Sequence, residues 1–274
     1  MALDPRQISF FSSHGYLTLG TILDDDELQR YEEIYDRDRE QMSGHWYGGG
    51  DQTMNCDALV TSPEFDGIIR HPRVLPPLRE LMRGEVCFSE LCIRHMAPYD
   101  GELSRAWHRD RPHWPEHSYR MDYAQLMVYL TDVDETTHCF SISPEAVDQE
   151  ILETQEHVAR GGIHDLHGPA GTGILFNVSV IHTATVRPTE SVRKSVQIYY
   201  GHRDRPHLSE DSLMPTQLWR DHEDSEVRGF YGVLNGKTRK YIERTANRGK
   251  ISRAEMRAIL VELDIESGKR KEPS

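Results

Sequence analysis

Apolar positions change their spacing part-way along the chain. Leu28, Tyr31, Ile34 and Tyr35 recur at helical intervals, behind Asp24, Asp25 and Asp26, which supply an N-cap and a negative first turn. A short strand over 16–19 is expected before this helix, and a second helix over 71–82 with Pro72 near its first turn. Residues 41–57, QMSGHWYGGGDQTMNCD, are polar and glycine-rich and read as a mobile loop. From Glu85 onward the texture is different. VCFSELCIRHM, YAQLMVYLTDV, HCFSIS, GTGILFNVSVIH and VRKSVQIYYGH are β-leaning runs separated by Pro, Gly, Asp and Thr clusters. With no long helices between them, they predict about eight antiparallel strands closed into a sandwich or barrel. After Asp204 the chain is charged. Met256, Ile259, Leu260 and Leu263 mark a helix over 252–263, and the tail SGKRKEPS is expected to fray. No repeat or linker divides the sequence. A single domain over 1–274 is therefore expected, with N-terminal helices over about 22–84, a β core over about 85–204 and a C-terminal helical extension over about 205–274.

Composition narrows the function classes. A formal charge of −13 argues against nucleic acid or an anionic membrane face as the main partner. No apolar run approaches the roughly 18 residues of a membrane helix, and the N-terminus lacks the basic-then-apolar order of a secretory signal. The four cysteines form no C-x-x-C pair, read as small core residues, and make a reducing cytoplasm the expected location. Fifteen histidines raise the prior for metal chemistry without locating it.

Location comes from order and spacing. In extended chain, residues i and i+2 face the same way, so His108 and Asp110 can share one metal ion. The same H-x-D pattern occurs at His202/Asp204 and His222/Asp224, where it reads as a solvated loop pair. Only the first copy is followed by an apolar strand ending in His182 and a turn at Arg187-Pro188, which brings Arg193 back toward His182. Two imidazoles and one carboxylate on a β scaffold form the facial triad of non-haem Fe(II) oxygenases. A nearby arginine can grip the distal carboxylate of an iron-bound 2-oxo acid.

His108-x-Asp110, His182 and Arg193, eleven residues apart in the last interval, resemble the phytanoyl-CoA dioxygenase family of Fe(II)/2-oxoglutarate oxygenases. FFSSHGYLTLGTILDDDELQRY, from Phe10 to Tyr31, is similar to that family's opening "F-x-x-x-G-Y-hydrophobic … L-x-x-x-E-L". Trp107 to Trp114 resembles its H-x-D-x-x-aromatic stretch, and Leu126 to Asp134 its strand and acidic turn. The resemblance covers about residues 10–205 and implies a mainly β fold with flanking helices around a double-stranded β-helix, jelly-roll core. It further implies Fe(II) on His108, Asp110 and His182, 2-oxoglutarate on Arg193, and O2 as oxidant; phytanoyl-CoA itself is not implied. The chain departs from the family pattern twice. Residues 135–145, ETTHCFSISPE, lack the family's Gly and closing His. Ala184 replaces a Ser that assists the co-substrate, and either Thr185 or Ser195 is a candidate to substitute.

The remaining candidates divide between site and scaffold. Gln125 either reaches the C1 end of 2-oxoglutarate or is a paired polar group inside the barrel. Arg111, His113 and Trp114 follow the metal residues and are candidates for the substrate mouth, with Trp114 alternatively a wall against the helices. Tyr199 shares a strand face with Arg193, Ser195 and Gln197. Asn177, Arg94 and Arg203 are weaker candidates for a polar or anionic substrate, the arginines reading first as surface ion-pair residues. The expected function is hydroxylation of a small molecule, with release of succinate and CO2 and with no protein partner evident. A non-catalytic β-helix binding protein and a zinc hydrolase are the alternatives; the intact triad with Arg193 speaks against the first, and hydrolysis gives Arg193 no task. Halogenation is disfavoured because the carboxylate, Asp110, is present.

Overall fold

The computed structural model describes residues 2–270. Helix α1 (Pro5–His14) starts on a capping box formed by Asp4 and Gln7 and leads into strand β1 (Tyr16–Thr21). Helix α2 (Asp25–Gln41) has the same device in Asp24 and Glu27. A hairpin, β2 (Tyr47–Gly49) and β3 (Gln52–Asn55), then precedes helices α3 (Ala58–Thr61), α4 (Asp66–Ile69) and α5 (Leu75–Met82). The β region comprises β4 (Val86–Met96), β5 (Ser104–Arg105), β6 (Tyr123–Tyr129) and β7 (Cys139–Ile142). After helix α6 (Thr154–Gly161) come β8 (His164–Leu166), β9 (Thr172–Asn177), β10 (His182–Val186) and β11 (Arg193–His202). Helices α7 (Thr216–Trp219), α8 (Ser225–Tyr231), α9 (Gly236–Thr245) and α10 (Arg253–Glu266) follow.

The strands form two antiparallel sheets, ordered β1-β9-β6-β11-β4-β3-β2 and β5-β10-β7-β8. The central strands of the large sheet are buried on both faces, which is why they read as near-continuous apolar runs. Along β6 the period-two alternation sends Leu126 and Val128 toward the helices, with Tyr31, Ile34, Leu78 and Leu81 in the same cluster. The same alternation sends Tyr123, Met127 and Tyr129 toward the small sheet, beside Phe140, Ile142 and Phe176. Gln125 lies on that inner face.

Three expectations change. The glycine-rich stretch is the β2–β3 hairpin, because Gly48 and Gly50 take φ of +110° and +67°, which side-chain-bearing residues rarely adopt. GTGILFNVSVIH is not one strand: β9 ends at Asn177, the chain turns through 178–181, and His182 opens β10 in the other sheet. The tail is docked as far as Arg270, whose guanidinium donates to the Gly44 and His45 carbonyls at 3.0 and 2.7 Å. Its last four residues, 271–274, lie outside the described residues.

Two contacts hold the outer segments to the β region. Gly15, at φ +74°, caps α1, and a Cβ there would lie 2.4 Å from Val180 Cγ2. The glycine of the opening motif thus allows α1 to seat against the turn that delivers His182. At the other end, Lys237 Nζ is buried between Asp57 Oδ1 at 2.9 Å and Asp264 Oδ1 at 2.7 Å. No helix among the described residues is long and apolar enough to cross a membrane.

Candidate active site

His108 and His182 face each other across an isolated antiparallel bridge. Each donates its backbone N–H to the other's carbonyl, at 3.1 and 3.0 Å. Asp110 follows two residues on, its N–H bound to the Val178 carbonyl at 3.0 Å. Three side chains distant in sequence are therefore set by backbone pairing rather than by packing alone.

The imidazoles are oriented by the same local backbone. His108 Nδ1 meets the Ala106 carbonyl at 2.8 Å, and His182 Nδ1 meets the Val180 carbonyl at 2.8 Å. A carbonyl only accepts, so both Nδ1 atoms carry the proton and both Nε2 atoms present a lone pair. Those Nε2 atoms lie 3.4 and 3.5 Å from the two oxygens of Asp110. All three ligand atoms fall within 4.8 Å of one another. Burial pushes the Asp110 carboxyl pKa up, but the two adjacent imidazoles and the hydrogen bond from the Tyr199 hydroxyl outweigh it and hold the group far below the usual carboxylate range. The His108 imidazole pKa is shifted up, chiefly by the Asp110 carboxylate beside its Nε2. Two imidazoles with Nε2 turned inward and an ionised carboxylate, with the remaining directions open to a cavity, fit a divalent iron ion.

The adjoining cavity has a volume of about 340 Å³ and is lined by the three ligands together with Gln125, Met127, Phe140, Arg193, Gln197 and Tyr199. Arg193 is 1% exposed, and its Nε, Nη1 and Nη2 have no hydrogen-bond partner among the described residues. Burial lowers its pKa, which measures the cost of keeping this charge without an anion. A dianionic co-substrate supplies the missing partner, so the residues present fit 2-oxoglutarate as well as iron. Gln125 Nε2 approaches Gln197 Oε1 at 3.4 Å on the same wall, and the Tyr199 hydroxyl reaches Asp110 Oδ2 at 2.8 Å.

Several expected site residues are placed elsewhere. Beyond Asp110 the chain leaves the metal face, and its side chains are already paired. Arg111 binds Asp122 at 2.6 Å, and His113 binds Glu145 at 3.1 Å. Trp114 stacks on His117 and carries the Arg205 guanidinium 4.8 Å from its ring. Asn177 closes a turn, donating to the Tyr119 carbonyl and accepting from Ser179 N–H. Arg203 is half-exposed near Glu85, in a different surface hollow. None of these five lines the chamber. Of the two candidates for the missing family Ser, Thr185 Oγ1 accepts from Arg105 at 2.9 Å, and Ser195 Oγ is buried without a partner; neither lines the chamber.

Arg94 corrects its expectation in the opposite direction. It lines the chamber and makes no ion pair among the described residues. Asp51 and Gln52, on the β2–β3 hairpin, also reach the lining and were not singled out. The Gly-Gly-Gly-Asp run between Tyr47 and Met54 is the hairpin signal that could have found them.

The family model described as phytanoyl-CoA dioxygenase (PhyH) matches residues 11–195. No curated protein sequence matches the chain. Among solved structures, EctD from S. alaskensis with 2-oxoglutarate and 5-hydroxyectoine is similar at a TM-score of 0.63 and 19% identity, over 82% of this chain and 86% of that one. HygX from Streptomyces hygroscopicus with iron bound has a TM-score of 0.61 and 18% identity, over 84% and 96%. The non-haem alpha ketoglutarate dependent carbocyclase SnoK from nogalamycin biosynthesis has a TM-score of 0.61 and 18% identity, over 74% and 85%. At these identities the structural likeness establishes the fold, a double-stranded β-helix.

Proposed function

This chain belongs to the phytanoyl-CoA dioxygenase family, and from that premise we propose that it hydroxylates a small molecule at a centre formed by His108, Asp110 and His182. It is an oxidoreductase of the Fe(II)- and 2-oxoglutarate-dependent class, with O2 as the second co-substrate. The observation that carries the site assignment is the convergence of two Nε2 lone pairs and a carboxylate beside a buried guanidinium that has no anion.

When bound, iron and 2-oxoglutarate supply O2-driven oxidation of a C–H bond, with succinate and CO2 as co-products. The protein's part is positional. His108 and His182 hold their tautomers through the Ala106 and Val180 carbonyls, so neither ring has to reorganise to bind metal. Asp110 stays ionised and offsets part of the metal charge, with Tyr199 fixing one of its oxygens. Arg193 takes the far carboxylate of 2-oxoglutarate as a bidentate partner, and Gln125 is available to the near end. Met127 and Phe140 supply apolar wall, which limits the water that would compete for the open positions.

Hydroxylation is the simplest outcome for an intact triad. The structural relatives include an epimerase and a carbocyclase, so pose decides which bond reacts. The test is anaerobic reconstitution with Fe(II), followed by 2-oxoglutarate. A metal-to-ligand charge-transfer band, then succinate release on admitting O2, is expected. A protein that binds iron but never develops the band or releases succinate would instead be a binding protein or a metal hydrolase.

A further inference from the structure

A second cavity, of about 450 Å³, shares Arg94, Asp110 and Tyr199 with the first. A molecule seated there lies against an iron ligand without occupying the place of 2-oxoglutarate beside Arg193. Its inner wall is one face of the β4–β11 pair, where Ser195 is opposite Arg94 and Tyr199 is opposite Glu90. Its outer wall comes from after the β region: Ser209 and Asp211, then Ser267 and Lys269 beyond α10.

The charges in this wall are unevenly satisfied. Glu90 is 4% exposed, and its hydrogen-bond contact from Cys56 Sγ is long, at 3.9 Å. No cation forms an ion pair with Glu90 among the described residues. Asp211 gives Oδ2 to Lys269 at 2.7 Å, but its Oδ1 is buried without a partner. On the same face of β4, four residues from Glu90, the Arg94 guanidinium has no ion pair and its Nε is buried unsatisfied. In extended chain that spacing separates the two Cα atoms by about 13 Å, and the cavity occupies the interval. Burial, followed by the field of Asp211, pushes the Glu90 carboxyl up to about 7, outweighing the opposing pull of Ser209, Arg94 and Lys269.

We propose that this cavity seats the primary substrate and that the substrate is a small zwitterion, its anionic group on Arg94 and its cationic group against Glu90 and Asp211. An uncharged guest would leave Arg94 and Glu90 without ion pairs, and a simple anion would leave Glu90 and the Oδ1 of Asp211 unsatisfied beside it. A molecule carrying both charges satisfies Arg94, Glu90 and Asp211 together and adds no net charge to a buried space. Specificity is then set in part by residues 209–211 and 267–269, which lie beyond the 11–195 span of the family match.

The proposal rests on the oxygenase reading, and the experiment separates the two. Wild-type protein with Fe(II), 2-oxoglutarate and O2 is assayed for succinate release with L-proline, L-lysine and γ-aminobutyrate. Each is compared with its N-acetyl and methyl-ester derivatives and with glycerol. At least one zwitterion is expected to raise succinate release above the substrate-free rate, and removing either of its charges is expected to abolish the stimulation. Arg94→Gln and Glu90→Gln should each raise the KM for that zwitterion about 30-fold. In Glu90→Gln, which lies outside the 2-oxoglutarate chamber, the anaerobic 2-oxoglutarate titration should keep its wild-type midpoint, which also reports that this variant folds. Stimulation by glycerol, equal stimulation by a derivative lacking one charge, or a Glu90→Gln effect on the 2-oxoglutarate midpoint would overturn the proposal. So would a panel in which no zwitterion stimulates although the wild type binds 2-oxoglutarate and releases succinate. Absence of the charge-transfer band in the wild type overturns the oxygenase reading itself.

Discussion

The Tyr199 hydroxyl donates to Asp110 Oδ2 at 2.8 Å, so the carboxylate of the centre is fixed by β11, on the sheet opposite β10 and its His182. One oxygen of Asp110 is held by a phenol that burial keeps protonated, its pKa raised well above the ordinary value. Tyr199→Phe removes only this bond. Groups that orient a ligand in this way typically cost 10–100-fold in metal affinity when lost, and a drop of about tenfold in Fe(II) affinity is expected here. Competition with a chelator measures it, and an unchanged affinity would mean that backbone pairing alone positions Asp110.

Removal of the ligands themselves should be more severe. His108→Ala, Asp110→Ala and His182→Ala are expected to abolish substrate oxidation and to leave sub-stoichiometric iron by elemental analysis. His202→Ala and His222→Ala, in the other two H-x-D pairs, should retain one iron per chain. His202 Nδ1 is 3.9 Å from a largely exposed Asp204, a poor substitute for a centre whose Asp110 and His182 are largely shielded from solvent. Iron lost from His202→Ala but kept by His108→Ala would relocate the centre.

Arg193→Ala should leave Fe(II) binding alone and weaken 2-oxoglutarate. A charge-assisted bidentate contact in a desolvated site is worth on the order of 2–5 kcal/mol when one partner is removed, or about 30-fold and upward in KM. Arg193→Lys should fall between, because an ammonium keeps the charge and loses the fork. The charge-transfer band, titrated anaerobically, gives the affinity directly; wild-type affinity in Arg193→Ala would remove the co-substrate role.

A pH-dependent contribution is expected behind the metal segment. Burial pushes the Glu145 carboxyl up, but hydrogen bonds from His113 and Arg109 prevail and depress it, with Arg109 at 2.5 Å. A folded-state pKa below the unfolded one stabilises above the unfolded value of about 4.3, and the gain is lost as pH falls through the folded value. Glu145→Gln should therefore lower Tm at neutral pH, with the gap to wild type narrowing in acid. Melting curves between neutrality and pH 3 test the sign, and a gap that widens in acid would contradict it.

What could be read from the sequence divides by how far the information is spread. His108 and Asp110 are two residues apart, and His182 and Arg193 flank one turn, so spacing on a β scaffold was enough to propose them. The β runs were legible because burial on both faces made them continuously apolar. Arg111, His113 and Trp114 failed because proximity in sequence to a ligand says nothing about direction once the strand ends. Each had a partner, Asp122, Glu145 or His117, that no local pattern announces. Glu90, Asp211 and Lys269 were invisible for the converse reason. They come from three separate segments, and only the path of the chain after β11 brings them to one wall.

The buried Lys237 carries a practical lesson about where this enzyme can be cut. The family match stops at residue 195, inside β11, and a protein trimmed to the recognisable module would seem the natural minimal version. Yet Lys237 is held between Asp57, just before α3, and Asp264 in α10. Removing the C-terminal helices leaves Asp57 as an interior anion stripped of its counter-ion, a loss that breaking a buried pair makes expensive. It also strips Ser209, Asp211 and Lys269 from the cavity they line with Asp110. For this chain the family match is shorter than the set of residues that keeps Asp57 paired, and swapping or shortening the segment after β11 removes at once a buried counter-ion and one side of the second cavity.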